Sequence, residues 1–360
     1  MSFERVSVLG LGKVGALAAR LLHDAGFQVT GVDSRRVRAR YPFELRQADL
    51  GSAAGIEAAL AGAQAVLSCL PYHLNKGVSA AAHKLGLHYF DLTEDVPTTK
   101  AIIEMSASAK GLMAPQCGLA PGFVGIVAAA QAAAFETCRS IKMRVGALPQ
   151  HPAGLLGYAF NWSPEGVVNE YLNDCEVIED GVKKWVSAME WIEQIYVNGV
   201  RLEAFTTSGG LGTMTDSYLG KVENLDYKTM RYPGHVDLMN FFFHELLLRE
   251  RRDLAGEILT HAKPPVDDDV VYVHVAAEGL SEGRLQRREF VRAYYPIEVA
   301  GVRSTAIAWT TSASVVSVIE MVRDGSLPAK GFLKQEEVPL ARFLQTATGR
   351  LFVSSGVGGP

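Results

Sequence analysis

The segment from Arg5 to Asp33 constrains the fold more than any other part of the chain. An apolar run, Arg5–Leu9, leads into Gly10-Leu11-Gly12-Lys13-Val14-Gly15, then a helix-like stretch from Lys13 to Ala25, then a second β-branched run from Gln28 that ends at Asp33. The pattern is strand, glycine-rich turn, helix and parallel strand. Each glycine has its own steric reason: Gly10 permits the tight turn, Gly12 lets a ligand approach the backbone, and Gly15 lets the helix pack on the strand. Free N–H groups and the positive end of the helix dipole then face an anion. The spacing alone is weak, but between a strand and a helix it reads as a pyrophosphate cradle made by Gly10, Gly12, Lys13, Val14 and Gly15. Asp33 ends the second strand, where a carboxylate accepts hydrogen bonds from the adenosine ribose, and this favours NAD over NADP. Ser34-Arg35-Arg36 beside it could hold a 2′-phosphate, so NADP stays open.

The same alternation continues. Strands are expected at Glu44–Ala48, Ala65–Leu70, His88–Leu92 and Leu112–Cys117, and helices at Ile56–Leu60, Asn75–Leu85, Thr98–Lys110 and Pro121–Glu136. Six strands with right-handed crossovers make a Rossmann-like doubly wound parallel sheet. At its carboxyl edge Cys69, Leu70 and Pro71 are expected to line the cofactor. Asp91-Leu92-Thr93-Glu94-Asp95 follows the fifth strand, and its acids would hold a substrate amine by charge, with Asp91 and Thr93 as the named contacts. Cys69 reads as a small buried hydrophobe rather than a nucleophile.

After Thr137 the texture changes to longer strands broken at Asp180-Gly181 and Asn198-Gly199, both hairpin dipeptides. A further antiparallel pair, Val270–Ala277 and Arg288–Val299, is joined by 278–283, and a helix is expected around Gly234–Glu250. Ser304–Arg323 and Gly331–Gln345 return to helix-like composition. The expected class is therefore α/β, a Rossmann-like sheet with an inserted α+β domain containing a largely antiparallel sheet. Residues 1–136 and 304–350 would form the dinucleotide-binding domain, and 137–303 the inserted substrate-binding and dimerisation domain. Residues 351–360 would be a low-complexity tail, and a ligand crevice is expected where the two domains meet.

Composition removes other classes. Hydrophobic residues make up 48% of the chain and charged residues 21%, enough apolar surface to offset the entropy of folding. A formal charge of −4 leaves no basic field for a polyanion, so no nucleic-acid partner is expected. The longest apolar stretch, Gly125 to Phe135, is too short for a bilayer, and Met1–Arg5 carries no secretory pattern. Four widely spaced cysteines suggest neither a disulfide framework nor a zinc knuckle, and a reducing cytoplasm is expected. His244-Glu245 lacks a second histidine at Leu248, so no metal site follows.

In the inserted domain Arg231-Tyr232-Pro233-Gly234-His235 places a guanidinium, an aromatic ring and an imidazole around one turn. Arg231 is the candidate for a substrate carboxylate and His235 for proton transfer. Taken singly, each has a structural alternative.

Together with the glycine fingerprint, three segments make the chain resemble the saccharopine dehydrogenase-like amino acid dehydrogenases. They are Gly118-Leu119-Ala120-Pro121-Gly122, the stretch from Val145–Pro149 to Trp162-Ser163-Pro164-Glu165, and Lys228–His235. Its likeness is strongest to the lysine 6-dehydrogenase branch. The resemblance implies a homodimer that oxidises the ε-amine of L-lysine with NAD, the imine then hydrolysing to allysine and cyclising. It also implies that Trp162, Arg231 and Tyr232 border the substrate. The Asp91–Asp95 loop is more similar to the saccharopine reductase form. A saccharopine or carboxynorspermidine-type dehydrogenase acting on a secondary amine is therefore the alternative, with an amino acid or polyamine-related substrate in either case. A non-catalytic dinucleotide-binding protein is the third reading.

Overall fold

The computed structural model describes residues 3–358. The chain divides into two compact units, one of Met1–Phe123, Glu298–Ser304 and Ala308–Ser354, the other of Val124–Ile297, Thr305–Ile307 and Ser355–Pro360.

In chain order the first unit builds β1 (Arg5–Leu9), α1 (Lys13–Asp24), β2 (Gln28–Asp33), β3 (Glu44–Gln47), α2 (Ala53–Ala59), β4 (Ala65–Ser68), α3 (Tyr72–Leu85), β5 (His88–Asp91), α4 (Val96–Ser106) and β6 (Leu112–Ala114). Next comes α5 (Phe123–Ala132), after a cis Ala120-Pro121 peptide. The six strands lie in the order β6-β5-β4-β1-β2-β3, every pair parallel. All four residues of β4 are buried, as a central parallel strand covered on both faces requires. On α1, Leu17, Ala18, Leu21 and Leu22 face inward while Lys13 stays exposed, so the helix buries one stripe.

The second unit is built on β7 (Thr137–Pro149), α6 (Pro164–Leu172), β8 (Cys175–Glu179), β9 (Val182–Val186), β10 (Glu193–Val197), β11 (Val200–Thr206), α7 (Met214–Tyr218), β12 (Asn224–Arg231), α8 (His235–Asn240), α9 (Arg252–Ala262), β13 (Asp269–Ser281) and β14 (Arg284–Tyr294). Its nine-stranded sheet follows the order β10-β11-β12-β7-β13-β14 and continues into β18 (Gly356–Val357), with β8 and β9 off the path. The β7–β12 pair is parallel and its neighbours are antiparallel. The hairpin turns fall at Asp180-Gly181 and Asn198-Gly199, all four residues at positive φ as their twist requires.

Four local expectations change. The 278–283 connection is mostly strand, because β13 and β14 run on until a two-residue turn at Glu282-Gly283. The helix expected around Gly234–Glu250 is broken into α8, a π turn at Phe241–Glu245 and a 3-10 turn at Leu248–Glu250. After a small pair, β15 (Ile297–Val299) and β16 (Val302–Ser304), α10 (Ala306–Arg323) leads to Gly331–Gln345. There, β17 (Gly331–Phe332) joins the parallel sheet beside β6, followed by a 3-10 turn and α11 (Leu340–Phe343). Residues 351–358, expected as a tail, instead complete α12 (Arg350–Ser354) and form β18, which pairs with β14. Phe352 of α12 stacks on Phe123 with ring centroids 4.0 Å apart, and that burial fixes the segment. Residues 359–360 lie outside the described residues. No helix is long and apolar enough to cross a membrane among the described residues.

Candidate functional site

In the first unit the glycine turn is packed without slack on one side and open on the other. A Cβ on Gly15 would lie 1.9 Å from the Gly10 carbonyl oxygen, and one on Gly10 2.8 Å from the Cys69 carbonyl oxygen. A Cβ on Gly12 would meet nothing within 4 Å, and no side chain caps α1. The first-turn amides are therefore open for an anion. Lys13 is exposed and Val14 half-buried at the same helix start.

Asp33 is buried, its Oδ2 accepting the Leu11 amide at 2.9 Å and its Oδ1 the Arg35 amide at 2.9 Å. These bonds fix the carboxylate at the mouth of the turn. The exposed Arg35 side chain lies beside it, Nε 3.6 Å from Oδ1. Cys69 and Leu70 are half-buried, and Pro71 is the exposed N-cap of α3. Burial, then the nearby Asp91 charge, pushes the Cys69 thiol up to about 12, so it carries no thiolate at neutral pH. These residues suit a nicotinamide dinucleotide: open helix amides for the pyrophosphate, a fixed carboxylate for the ribose, and a strand-end wall beside them.

One strand further along this edge, the Asp91–Asp95 loop sorts its acids. Asp91 is fully buried and accepts from the Tyr89 hydroxyl (2.6 Å), the Thr93 amide (3.0 Å) and the Gln116 amide (2.9 Å). Burial raises its carboxyl to about 6 against those three bonds. Asp95 caps α4 by accepting from the Thr98 amide (2.9 Å) and hydroxyl (2.6 Å). Thr93, also buried, accepts the Asp95 amide. Gln116 holds φ +65° in the adjoining loop. There the Gln335 amide donates to the Pro115 carbonyl (3.0 Å) and to Cys117 Sγ (3.2 Å). Asp91 and Asp95 are thus committed to tying the loops after β5 and β6, and Glu94 is left half-buried, its carboxylate bonded to its own amide.

In the second unit the other candidates form a closed network. Arg231 Nε donates to the Tyr171 hydroxyl at 2.8 Å, and Nη1 donates to its neighbour's carbonyl, Met230 O, at 2.9 Å. Its guanidinium lies 4.6 Å over the Tyr158 ring. His235 Nδ1 is 3.0 Å from the Leu156 carbonyl and Nε2 3.0 Å from the Tyr171 hydroxyl. A carbonyl only accepts, so Nδ1 carries the proton; Nε2 then accepts from Tyr171, whose oxygen accepts from Arg231. The imidazole is neutral by construction, and burial, reinforced by the Arg231 charge, pushes its pKa down to about 3.

His235 is only 1% exposed and Arg231 2%. Both ring nitrogens of the expected proton acceptor are thus occupied inside the core, which is the setting of a positioning residue. Trp162 Nε1 donates to the Tyr158 hydroxyl at 3.2 Å, and the Tyr232 hydroxyl donates to the Pro149 carbonyl at 2.9 Å, both from half-buried rings. The structure therefore brings Arg231, His235 and Trp162 into one network through Tyr158 and Tyr171, two residues that carry no motif in the sequence.

Residues 6–114 match the saccharopine dehydrogenase NADP binding domain, and residues 118–351, more than half of the chain, match the saccharopine dehydrogenase C-terminal domain. The chain belongs to the saccharopine dehydrogenase family. It is an NAD(P)-dependent oxidoreductase of that family, acting on amino acids. Among solved structures, the apo saccharopine dehydrogenase (L-Glu forming) of Saccharomyces cerevisiae is similar with a TM-score of 0.74 and 16% identity, over 99% of this chain and 100% of that one. An engineered D-amino acid dehydrogenase bound to NADP+ is similar with a TM-score of 0.50 and 12% identity, over 98% of this chain and 99% of that one. C. glutamicum DAP dehydrogenase in complex with DAP gives 0.50 and 10% over the same shares. At these identities the likeness is one of fold.

Proposed function

We propose that this family member is an amino acid dehydrogenase that oxidises the ε-amine of L-lysine with NAD as acceptor, a lysine 6-dehydrogenase. The observation that carries the reading is the pairing of an open, uncapped glycine turn and fixed Asp33 carboxylate with the two family domains that cover nearly the whole chain. Asp33 supports NAD over NADP, since its carboxylate occupies the place where a 2′-phosphate would meet like charge. Bound at this turn, a nicotinamide dinucleotide supplies a two-electron acceptor.

The protein's own residues then have three tasks. Gly10, Gly12, Lys13, Val14 and Gly15 orient the pyrophosphate, with Cys69, Leu70 and Pro71 lining the sugar. In the second unit, Arg231 with Tyr232 and Trp162 is the candidate set for a substrate carboxylate, the Arg231 guanidinium held by its bond to the Tyr171 hydroxyl. In the Asp91–Asp95 loop, half-buried Glu94 is the acid left to meet the amine, on a loop that buried Asp91 and Thr93 hold in place. Saccharopine, a secondary amine, is the second reading, favoured by the Asp91-x-Thr93 form of that loop.

The site of oxidation is tested by isotope position. With L-lysine labelled at the ε-nitrogen with 15N, the ammonia released is expected to carry the label, as read by mass spectrometry. Unlabelled ammonia means α-oxidation and rejects the ε-amine assignment.

A further inference from the structure

Removing the amine's proton requires a group that is unprotonated at working pH, reachable and with acceptor capacity left. His235 meets none of the geometric conditions, with both nitrogens engaged in the core. Within the Asp91–Asp95 loop, Asp91 accepts three hydrogen bonds and Asp95 caps α4. That leaves Glu94. It stands between those two anchors, and Asp91 pairs in register with Ser68, the residue before the Cys69–Pro71 wall. This is the carboxyl edge of a parallel sheet, where ligands of such sheets lie. The adjoining loop after β6 is tied to it by the Gln116 and Cys117 amides, which donate to the side chain and carbonyl of Asp91. Glu94 is thus an acid on a loop pinned at both ends, its carboxylate bonded to its own amide and so left with acceptor capacity for a substrate proton.

We infer that Glu94 is the catalytic residue that takes the proton from the substrate amine. The inference rests on the amine-dehydrogenase reading above and assigns its missing base. The ammonium substrate loses one N–H proton to a Glu94 carboxylate oxygen. A bound nicotinamide dinucleotide would supply the acceptor for the hydride, the C–H hydrogen with its electron pair, that the neutral amine gives up as the C=N bond forms. The products are an iminium, a protonated Glu94 and the reduced dinucleotide, and the iminium takes up water to give a carbonyl and ammonium. Burial, then the like charges of Asp95 and Asp91, acting against a hydrogen bond from its own amide, raise Glu94 to about 7. A base with that affinity accepts and returns a proton near neutral pH.

The test uses the full chain with NAD and L-lysine, saccharopine being the second arm. Wild type is expected to show a kcat/KM that rises with pH through a group near 7, and Glu94→Gln to lose that limb and about 100- to 10,000-fold in kcat/KM. Calorimetry in buffers of different ionisation enthalpy gives a readout independent of turnover. At pH 6.5 amine binding is expected to release a proton from wild type, as the ammonium draws Glu94 into its ionised form, and none from Glu94→Gln. Removing a half-buried charge is expected to leave the variant's Tm at pH 8 equal to or above wild type, so a folding defect is distinguishable; Glu94→Asp retains the proton release if the fold is intact. An unchanged pH profile and proton release in a folded Glu94→Gln overturn the assignment of Glu94 while leaving the dehydrogenase reading intact. A wild type that neither binds nor oxidises either amine overturns both.

Discussion

Gly15→Ala is expected to weaken dinucleotide binding by roughly 100-fold or more, on the scale that a 1 Å displacement of a positioning element costs. Its Cβ would sit 1.9 Å from the Gly10 carbonyl oxygen and 3.0 Å from Cys69 Cβ. The first neighbour is backbone and cannot rotate away, so the start of α1 must move off β1, carrying the open amides with it. Overpacking of this kind costs about 1–3 kcal/mol of stability. Gly12→Ala makes the informative contrast, because its Cβ meets nothing within 4 Å in the protein itself. It should keep the wild-type Tm and still lose affinity, since the methyl group occupies the approach of the pyrophosphate. Titrating both variants with NADH by fluorescence, beside thermal melts, checks the pair. A Gly12→Ala protein that binds like wild type contradicts the cradle.

His235→Ala is expected to cost about 3–5 kcal/mol at pH 8, from the cavity and from leaving the Tyr171 hydroxyl without its acceptor and the Leu156 carbonyl without its donor. The same residue makes part of the stability depend on pH. The unfolded imidazole titrates near the ordinary 6.5, whereas the folded one is pushed down to about 3. Between those values the unfolded chain binds a proton that the native chain does not. The stabilisation is therefore complete above about pH 6.5 and is lost as pH falls towards 3, by as much as several kcal/mol. Asp91 and Glu94 act in the opposite direction, because their folded values of about 6 and about 7 lie above the ordinary carboxyl range. Their burial weakens the native state at high pH, and protonation relieves it as pH falls through those values. The difference between wild type and His235→Ala isolates the histidine. Urea melts at pH 8, 6.5, 5 and 4 should show that difference shrinking, and a constant difference would mean that the ring is not held neutral.

The parallel sheet was legible because its signals are local. Gly10 and Gly15 are demanded by contacts within a few residues or with the neighbouring strand, and three of the four residues of the fully buried strand β4 are apolar, the fourth, Ser68, bonding to Asn75. The same local chemistry placed the hairpin turns at Asp180-Gly181 and Asn198-Gly199. What failed depended on distant partners. β17 is two residues long and exists by pairing with β6, so Gly331–Phe332 carries no strand pattern of its own. The final segment reads as low complexity, yet Phe352 finds Phe123 and Gly356–Val357 finds β14. At the candidate site, the five-residue acidic loop reads as one patch of charge, because nothing in its composition says which carboxylates will be spent on Tyr89, Gln116 and the α4 cap. His235 is the mirror case: its pKa in water suits proton transfer, but Tyr171 and Leu156, 64 and 79 residues away in sequence, bond both nitrogens.

Whether the chain is a lysine dehydrogenase is decided by following reduced nicotinamide spectroscopically at alkaline pH, with L-lysine or saccharopine as donor and NAD or NADP as acceptor. Lysine-dependent reduction is expected, faster with NAD than with NADP. Tight NAD binding without reduction by either amine would contradict the assignment and leave a dinucleotide-binding protein in place of a dehydrogenase.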